Sequence, residues 1–591
     1  MAGRLGAARR PAGPTEMNRD RPARAVMVLG TTSGAGKSWL ATALCRWYAR
    51  AGLSVAPFKA QNMSNNARVA AGLDGRAGEI GSAQYFQALA ARVVPDVRMN
   101  PVLLKPERDT ASQLVLLGEV DRRIGALPWH ERSAAVWPAA RQALDALRAG
   151  HDLLVIEGAG SPAEINLAHS DFVNVRTAVA ADAECLLVTD IDRGGAFAHL
   201  YGTHALMPAE GRGRVRGFVL NRFRGDASLL APGPEQLQAL TGVPTVAVLP
   251  MWRGHGLPEE DGLFDDGDTG WDAPAGGPFG LSGAGAGAGS DAEVGAGAGT
   301  SASASASASA GHAVSSGARR RRIAIVAYPH LSNLDEFQPL RGLPGVSLRW
   351  ARTPAALAGA DWIVLPGSKQ ARSDLAWLRS QGIEQAVVAH ARAGGPVLGI
   401  CGGLQMLGET IADPHGVEGG GPTDAEPGLG LLPLHTRYGA SKLLRPVRAR
   451  FGAVRGEFAA LGDVAFDGYE IHVGLTAERP GTGGAARTSM SMSVAAAAAA
   501  VPAPSTGSGA GTHPMESGLR PVLHGPDGDV LGWQAGPVVG LYAHGLFESP
   551  AILRALFGVE VRSMNAVFDG MADFVDTHFA PGVLARLAGL G

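Results

Sequence analysis

Short apolar runs rich in β-branched residues recur along two stretches of the chain, each ended by a glycine-rich or polar turn. In the first stretch they are Ala25–Leu29, Ser54–Phe58, His151–Ile156, Cys185–Thr189 and Gly217–Leu220. In the second they are Ile323–Ala327, Asp361–Leu365, Pro396–Ile400 and Val538–Leu541. Runs without alternation predict strands buried on both faces, the mark of a parallel sheet. A helical pattern, WLATALCRWYARAG, follows the first run and stops at Gly52. A second helical start, LQMLGE, follows Cys401. The pattern therefore predicts an α/β protein with two parallel-sheet units.

Between and within these units the pattern fails. Residues 274–318 (GAGAGAGSDAEVGAGAGTSASASASASAG at their centre) and 480–514 are Gly, Ala and Ser tracts without periodic large apolar residues. Such composition cannot offset the entropy of ordering, so both tracts are expected to be unstructured. The expected organisation is an extension over 1–24, a first domain over 25–265, a linker over 266–320, and a second domain over 321–591 with an insertion at about 480–514. The 591-residue length allows two or three domains. The first 21 residues carry arginines but no apolar core, so they do not read as a secretory signal, and Met17 is a conceivable start.

Composition narrows the function classes. A formal net charge of −2 gives no reason to expect a nucleic-acid partner or an anionic membrane. No run of about 20 apolar residues predicts a membrane span. The three cysteines, Cys45, Cys185 and Cys401, contain no CxxC pair, which argues against a disulfide framework or structural zinc and for a cytoplasmic location.

Candidate chemistry clusters at strand ends. Gly30-Thr31-Thr-Ser-Gly34-Ala-Gly36-Lys37-Ser38 lies between a strand and a helix, the context of a phosphate-binding loop. Its first glycine stands one residue further back than in GxxxxGK[ST]. In such a loop Lys37 bridges the outer phosphates of ATP and the Ser38 hydroxyl ligates Mg2+. Glu157, at the tip of its strand, is the candidate second Mg2+ contact. Lys59, Asp190, Asp192 and Asn221 end other strands on the same expected edge. Gly399-Ile-Cys401-Gly-Gly403 forms a GxCxG strand–turn–helix elbow, which exposes a nucleophile at a helix start that favours thiolate. The N–H groups of Gly402 and Gly367 are the candidate oxyanion hole. His544 is the candidate base, with His472 a less favoured alternative. Cys45 and Cys185 read as structural.

These segments resemble known families. Gly30–Ser38 is similar to the variant loop of dethiobiotin synthetase-like enzymes. FKAQNMSNN (58–66), EGAGSPAEIN (157–166), DIDRGG (190–195) and LPEED (257–261) resemble signatures of the cobyric acid synthase family. GICGGLQMLG (399–408), YEIHVG (469–474) and GLYAHGLF (540–547) resemble class I glutamine amidotransferases of that branch. The resemblance implies a P-loop synthetase domain followed by a flavodoxin-like class I glutamine amidotransferase domain. It implies ATP and Mg2+ as cofactors, L-glutamine as nitrogen donor, and a corrinoid substrate, adenosylcobyrinic acid a,c-diamide, amidated at its b, d, e and g carboxylates. In it Asn221 would read adenine, while Lys59, Asp190 and Asp192 would contact substrate or the transferred phosphoryl group. Many class I domains have HPE at the catalytic histidine, where this chain has His544-Gly545-Leu546, so the orienting acid is left unidentified. Two other readings stay open: a cobyrinic acid a,c-diamide synthase, and a ParA/MinD-like ATPase switch. The latter usually carries a lysine near the position of Ser33 and has no use for the elbow.

Overall fold

The computed structural model describes residues 22–108, 111–258, 320–418, 421–439, 441–478 and 518–590. The expected linker (except Arg320), the expected insertion, residues 1–21 and the acidic end of LPEED lie outside these residues.

The first unit is built on six strands: β1 (Arg24–Gly30), β2 (Val55–Phe58), β3 (Leu153–Glu157), β4 (Glu184–Asp190), β5 (Val215–Phe223) and β6 (Thr245–Pro250). All pair in parallel, in the order β6-β5-β4-β1-β3-β2. Every residue of β2 and β3 is buried, which explains the unbroken apolar runs. The order reverses on either side of β1, so the crevice beyond its carboxyl end is where such a sheet admits a ligand. Helix α1 (Lys37–Arg50) leaves that crevice, and α2 (Ser82–Ala90) packs beside it. A hairpin of Ala67–Ala71 and Ala77–Gly81 projects from this unit.

The second unit carries β7 (Arg321–Val326), β8 (Val346–Ala351), β9 (Trp362–Leu365), β10 (Val397–Ile400), β11 (Leu443–Phe451), β12 (Ala465–His472), β13 (Arg520–His524), β14 (Val530–Ala535) and β15 (Val538–Leu541). They form one sheet ordered β8-β7-β9-β10-β15-β14-β13-β11-β12. The first five are parallel and follow the flavodoxin-like 2-1-3-4-5 order. The rest are antiparallel. Helix α3 (Gly402–Leu407) starts at the end of β10.

The expected boundary of 321–591 does not describe the packing at the chain's end. Helices α4 (Met564–His578) and α5 (Val583–Ala588) cross back and cover the first unit. Val567, Phe568, Met571 and Val575 of α4 are buried with Leu40 and Leu44 of α1. Arg46 of α1 bonds Asn565 at 2.5 Å and lies 3.2 Å from Asp569, and Tyr48 donates to the Leu584 carbonyl at 3.0 Å. The physical reason is that α1 is apolar on more than one side. One side faces the sheet, and the other needs a cover that the first unit does not supply.

A Phe568→Ala substitution should therefore destabilise the first unit, although the residue lies beyond the second. Phe568 is 1 % exposed, and truncation of a buried Phe costs about 3–5 kcal/mol. Denaturant titration followed by the fluorescence of Trp39 and Trp252, whose rings contact α4 through Phe574, should show an earlier transition. An unchanged midpoint would mean α4 is only loosely laid on.

Candidate active sites

The first site forms where β1 turns into α1. Gly34 and Gly36 hold φ of 69° and 96°, backbone that a side chain would strain. A Cβ on Gly36 would also fall 2.1 Å from Asn221 Nδ2. Lys37 folds back over the loop and donates to the carbonyls of Thr32 (2.9 Å) and Gly160 (3.1 Å). Thr31 is held by Thr189 at 2.9 Å, oxygen to oxygen. Asn221 donates to the Ala35 carbonyl at 2.9 Å, so it braces the loop.

Glu157 is the hub. Its Oε1 accepts from Ser38 Oγ at 2.7 Å and from Lys59 Nζ at 2.8 Å. Its Oε2 accepts from Gln87 at 2.6 Å and Gln84 at 3.3 Å, both on α2. Glu157 is 1 % exposed. Burial alone would raise its pKa, but the Lys59 charge and the hydrogen bonds from Lys59, Ser38 and Gln87 outweigh it and hold the group below the ordinary carboxylate range. Asp190 and Asp192 sit to one side. Asp190 is 2.9 Å from Arg222 and 3.5 Å from Arg193, and Asp192 is paired with Arg224. Thus Lys59, Ser38 and Glu157 meet directly, Asn221 meets the loop, and the two aspartates are already held by arginines.

The second site forms at the end of β10. Cys401 has φ 53° and ψ −107°, a strained conformation that a tight elbow imposes. The flanking glycines are demanded by packing: a Cβ on Gly403 would lie 1.9 Å from the Leu365 carbonyl oxygen, and one on Gly399 2.4 Å from Leu407. Gly402 abuts Ser368, and Gly367 faces the His544 ring, so all four residues named from sequence converge here. The thiol lies 3.5 Å from the Ile471 carbonyl.

His544 is held by Glu336, a residue that no sequence motif singled out. It is fully buried on a short turn after β7, and its two oxygens take His544 Nδ1 at 3.1 Å and the Gly545 N–H at 3.0 Å. Burial alone would lower the His544 pKa; Glu336 and Cys401 more than offset this and push it up to about 10. Tyr469 stacks on the same imidazole at 5.3 Å. No local signal marks Glu336: it lies ten residues past the end of β7, whereas Glu157 is the last residue of its strand. His472 has other work: it bonds the Gly474 carbonyl at 2.9 Å and Glu470 at 3.2 Å and stacks on Tyr542. Burial pushes the Cys45 and Cys185 thiols up, in keeping with structural roles.

One arrangement can polarise phosphate oxygens, and the other can generate a thiolate beside an imidazolium. Comparison with known proteins agrees with this pairing. Residues 26–253 match the family of the CobQ/CobB/MinD/ParA nucleotide binding domain, and residues 322–552 match the CobB/CobQ-like glutamine amidotransferase domain. Over 577 residues the chain is 60% identical to a protein named cobyric acid synthase from Leptothrix cholodnii, covering 96% of this chain and 97% of the relative. Proteins of the same name from Methylibium petroleiphilum and Variovorax paradoxus are 60% and 57% identical over 566 residues each, covering 96% and 95% of this chain and 97% and 99% of the relatives. Two catalytic units in this order, matched end to end by these relatives, identify the chain as a member of the cobyric acid synthase family of glutamine-dependent amidoligases.

Proposed function

We propose that this chain uses ATP and glutamine to amidate the b, d, e and g carboxylates of adenosylcobyrinic acid a,c-diamide, in the cytoplasm. The observation that carries the reading is the joining, in one chain, of a Lys37–Ser38–Glu157–Lys59 cluster with a Cys401–His544–Glu336 constellation. Three unpaired, buried cysteines suit a reducing compartment.

At the first site a substrate carboxylate attacks the γ-phosphate of ATP, giving an acyl phosphate and ADP. Lys37 and Lys59 neutralise the charge on the transferred group. Gly30, Thr31, Gly34 and Gly36 let the loop backbone approach the phosphates, and Asn221 keeps that loop in shape, within reach of the nucleotide. Asp190 and Asp192 orient the arginines that border the crevice toward substrate. The donor set fits Mg2+: a hydroxyl and a carboxylate oxygen 2.7 Å apart at the phosphate loop are hard ligands. When bound by Ser38 and Glu157, the ion would neutralise phosphate charge.

At the second site His544 takes the Cys401 thiol proton and the thiolate attacks the glutamine side-chain amide. The oxyanion points at the N–H groups of Gly402 and Gly367. His544, kept in one orientation by Glu336, protonates the departing ammonia, and water then releases glutamate from the thioester. Ammonia displaces phosphate from the acyl phosphate and gives the amide.

Cys401→Ala should abolish amidation with glutamine and retain it with an ammonium salt, read by product mass. Continued glutamine-driven product would refute the nucleophile. Glu157→Gln should lower turnover with either nitrogen source by on the order of 100-fold; an effect on glutamine alone would contradict its place at the phosphate site. Glu336→Gln removes the charge that stabilises the imidazolium. The His544 ionisation should therefore move down from about 10, and kcat/KM for glutamine should fall by roughly 100-fold or more. A basic limb of the pH–rate profile that stays in place would refute the pairing.

A further inference from the structure

We infer that Asn66, Ala67 and Arg68 of the first unit complete the thiol site of the second, by positioning Glu336 and through it His544. This rests on the assignment of Cys401 and His544 proposed above.

The turn that carries Glu336 is pinned residue by residue from the other unit. Asn333 Nδ2 donates to the Ala67 carbonyl at 2.8 Å, and also to the Tyr469 hydroxyl at 2.7 Å. The Leu334 N–H donates to Asn66 Oδ1 at 2.8 Å. Asp335 accepts from the Arg68 guanidinium and from Ser82 Oγ. The next residue, Glu336, holds His544. Asn333 has φ of 56°, so the turn does not rest in a default conformation.

Arg68 reaches the imidazole by a second route. Its guanidinium is 2.6 Å from Glu548 and stands over the Tyr469 ring, 4.9 Å from the centroid, and Tyr469 in turn stacks on His544. Its side chain is 1 % exposed. Asn66 closes the FKAQNMSNN segment, whose lysine, Lys59, touches Glu157. That segment thus has one end at the phosphate site and the other at the turn that orients the base. The consequence is a thiol site competent only when the first unit is docked. Arg68 is a positioning residue: it touches no reacting atom.

The full-length enzyme tests this with Arg68→Met, Arg68→Lys and Asn333→Gly. The last keeps the positive φ while deleting the bonds to Ala67 and Tyr469. Arg68→Met should lower kcat for glutamine hydrolysis by roughly 10- to 100-fold. It should also slow iodoacetamide alkylation of Cys401. Amidation from an ammonium salt, and the KM for ATP, should stay within about twofold. Arg68→Lys should recover part of the loss, and Asn333→Gly should show the same selective loss if Arg68→Met does not fold. Equal losses with glutamine and ammonia, or no loss with either, would overturn the inference. Cys401→Ala run alongside separates the two claims: if it keeps glutamine-driven turnover, the nucleophile assignment has failed rather than the positioning role.

Discussion

The buried Arg68 guanidinium, shared between Asp335 and Glu548, is the contact on which the geometry of this protein turns. A charge removed from water is tolerated only when closely paired, and removing one partner of such a pair typically costs about 3–5 kcal/mol. Parting the units would strip Arg68 of both carboxylates and strip Asp335 of its cation. Parting would also return these groups to water, so the pairing fixes where the units meet more than how tightly they hold. Around it lie Lys442 against Glu79, and Lys369 against Asn65 and the Pro106 carbonyl. Glu79 illustrates the energetics: burial pushes its pKa up, yet Lys105 and Lys442 draw it down to about 2. The placement of one unit on the other is thus written in charged side chains that each unit holds ready, whatever the path of the chain between them.

Each site repeats one solution. A carboxylate at the carboxyl edge of a parallel sheet is buried and then paid for by donors from different segments. Glu157 gathers Ser38, Lys59, Gln84 and Gln87. Glu336 gathers His544 and the Gly545 N–H. In the first case the donors are groups able to face phosphate. In the second the donor is the His544 imidazole, and the acid fixes its orientation and favours its charged form. The segment from Lys59 to Arg68 touches both assemblies, so the thiol site is not an independent module. Helices α4 and α5 add a second tie, because the chain leaves the second unit and ends on the first.

Much of this was legible in the residues. Unbroken apolar runs of four to six residues, rich in β-branched side chains and ended by glycine or polar turns, suit buried parallel strands and are too short for a buried helix. The phosphate loop and the GxCxG elbow are equally local, because their glycines answer to backbone angles and close contacts within a few residues. Cys401, Lys37, Ser38 and Glu157 could be named for that reason. What the sequence could not convey was partnership. Glu336 stands in an unremarkable NLDEF stretch and gains its meaning only from His544, some two hundred residues on. Arg68 looks like one charged residue among many until it is buried between two carboxylates. The reach of α4 back to α1 has no local signature either, because an amphipathic helix does not state which surface it will cover. Local conformation follows from nearby residues, whereas charge pairing and docking are chosen by which distant surfaces meet, and only the folded chain decides that.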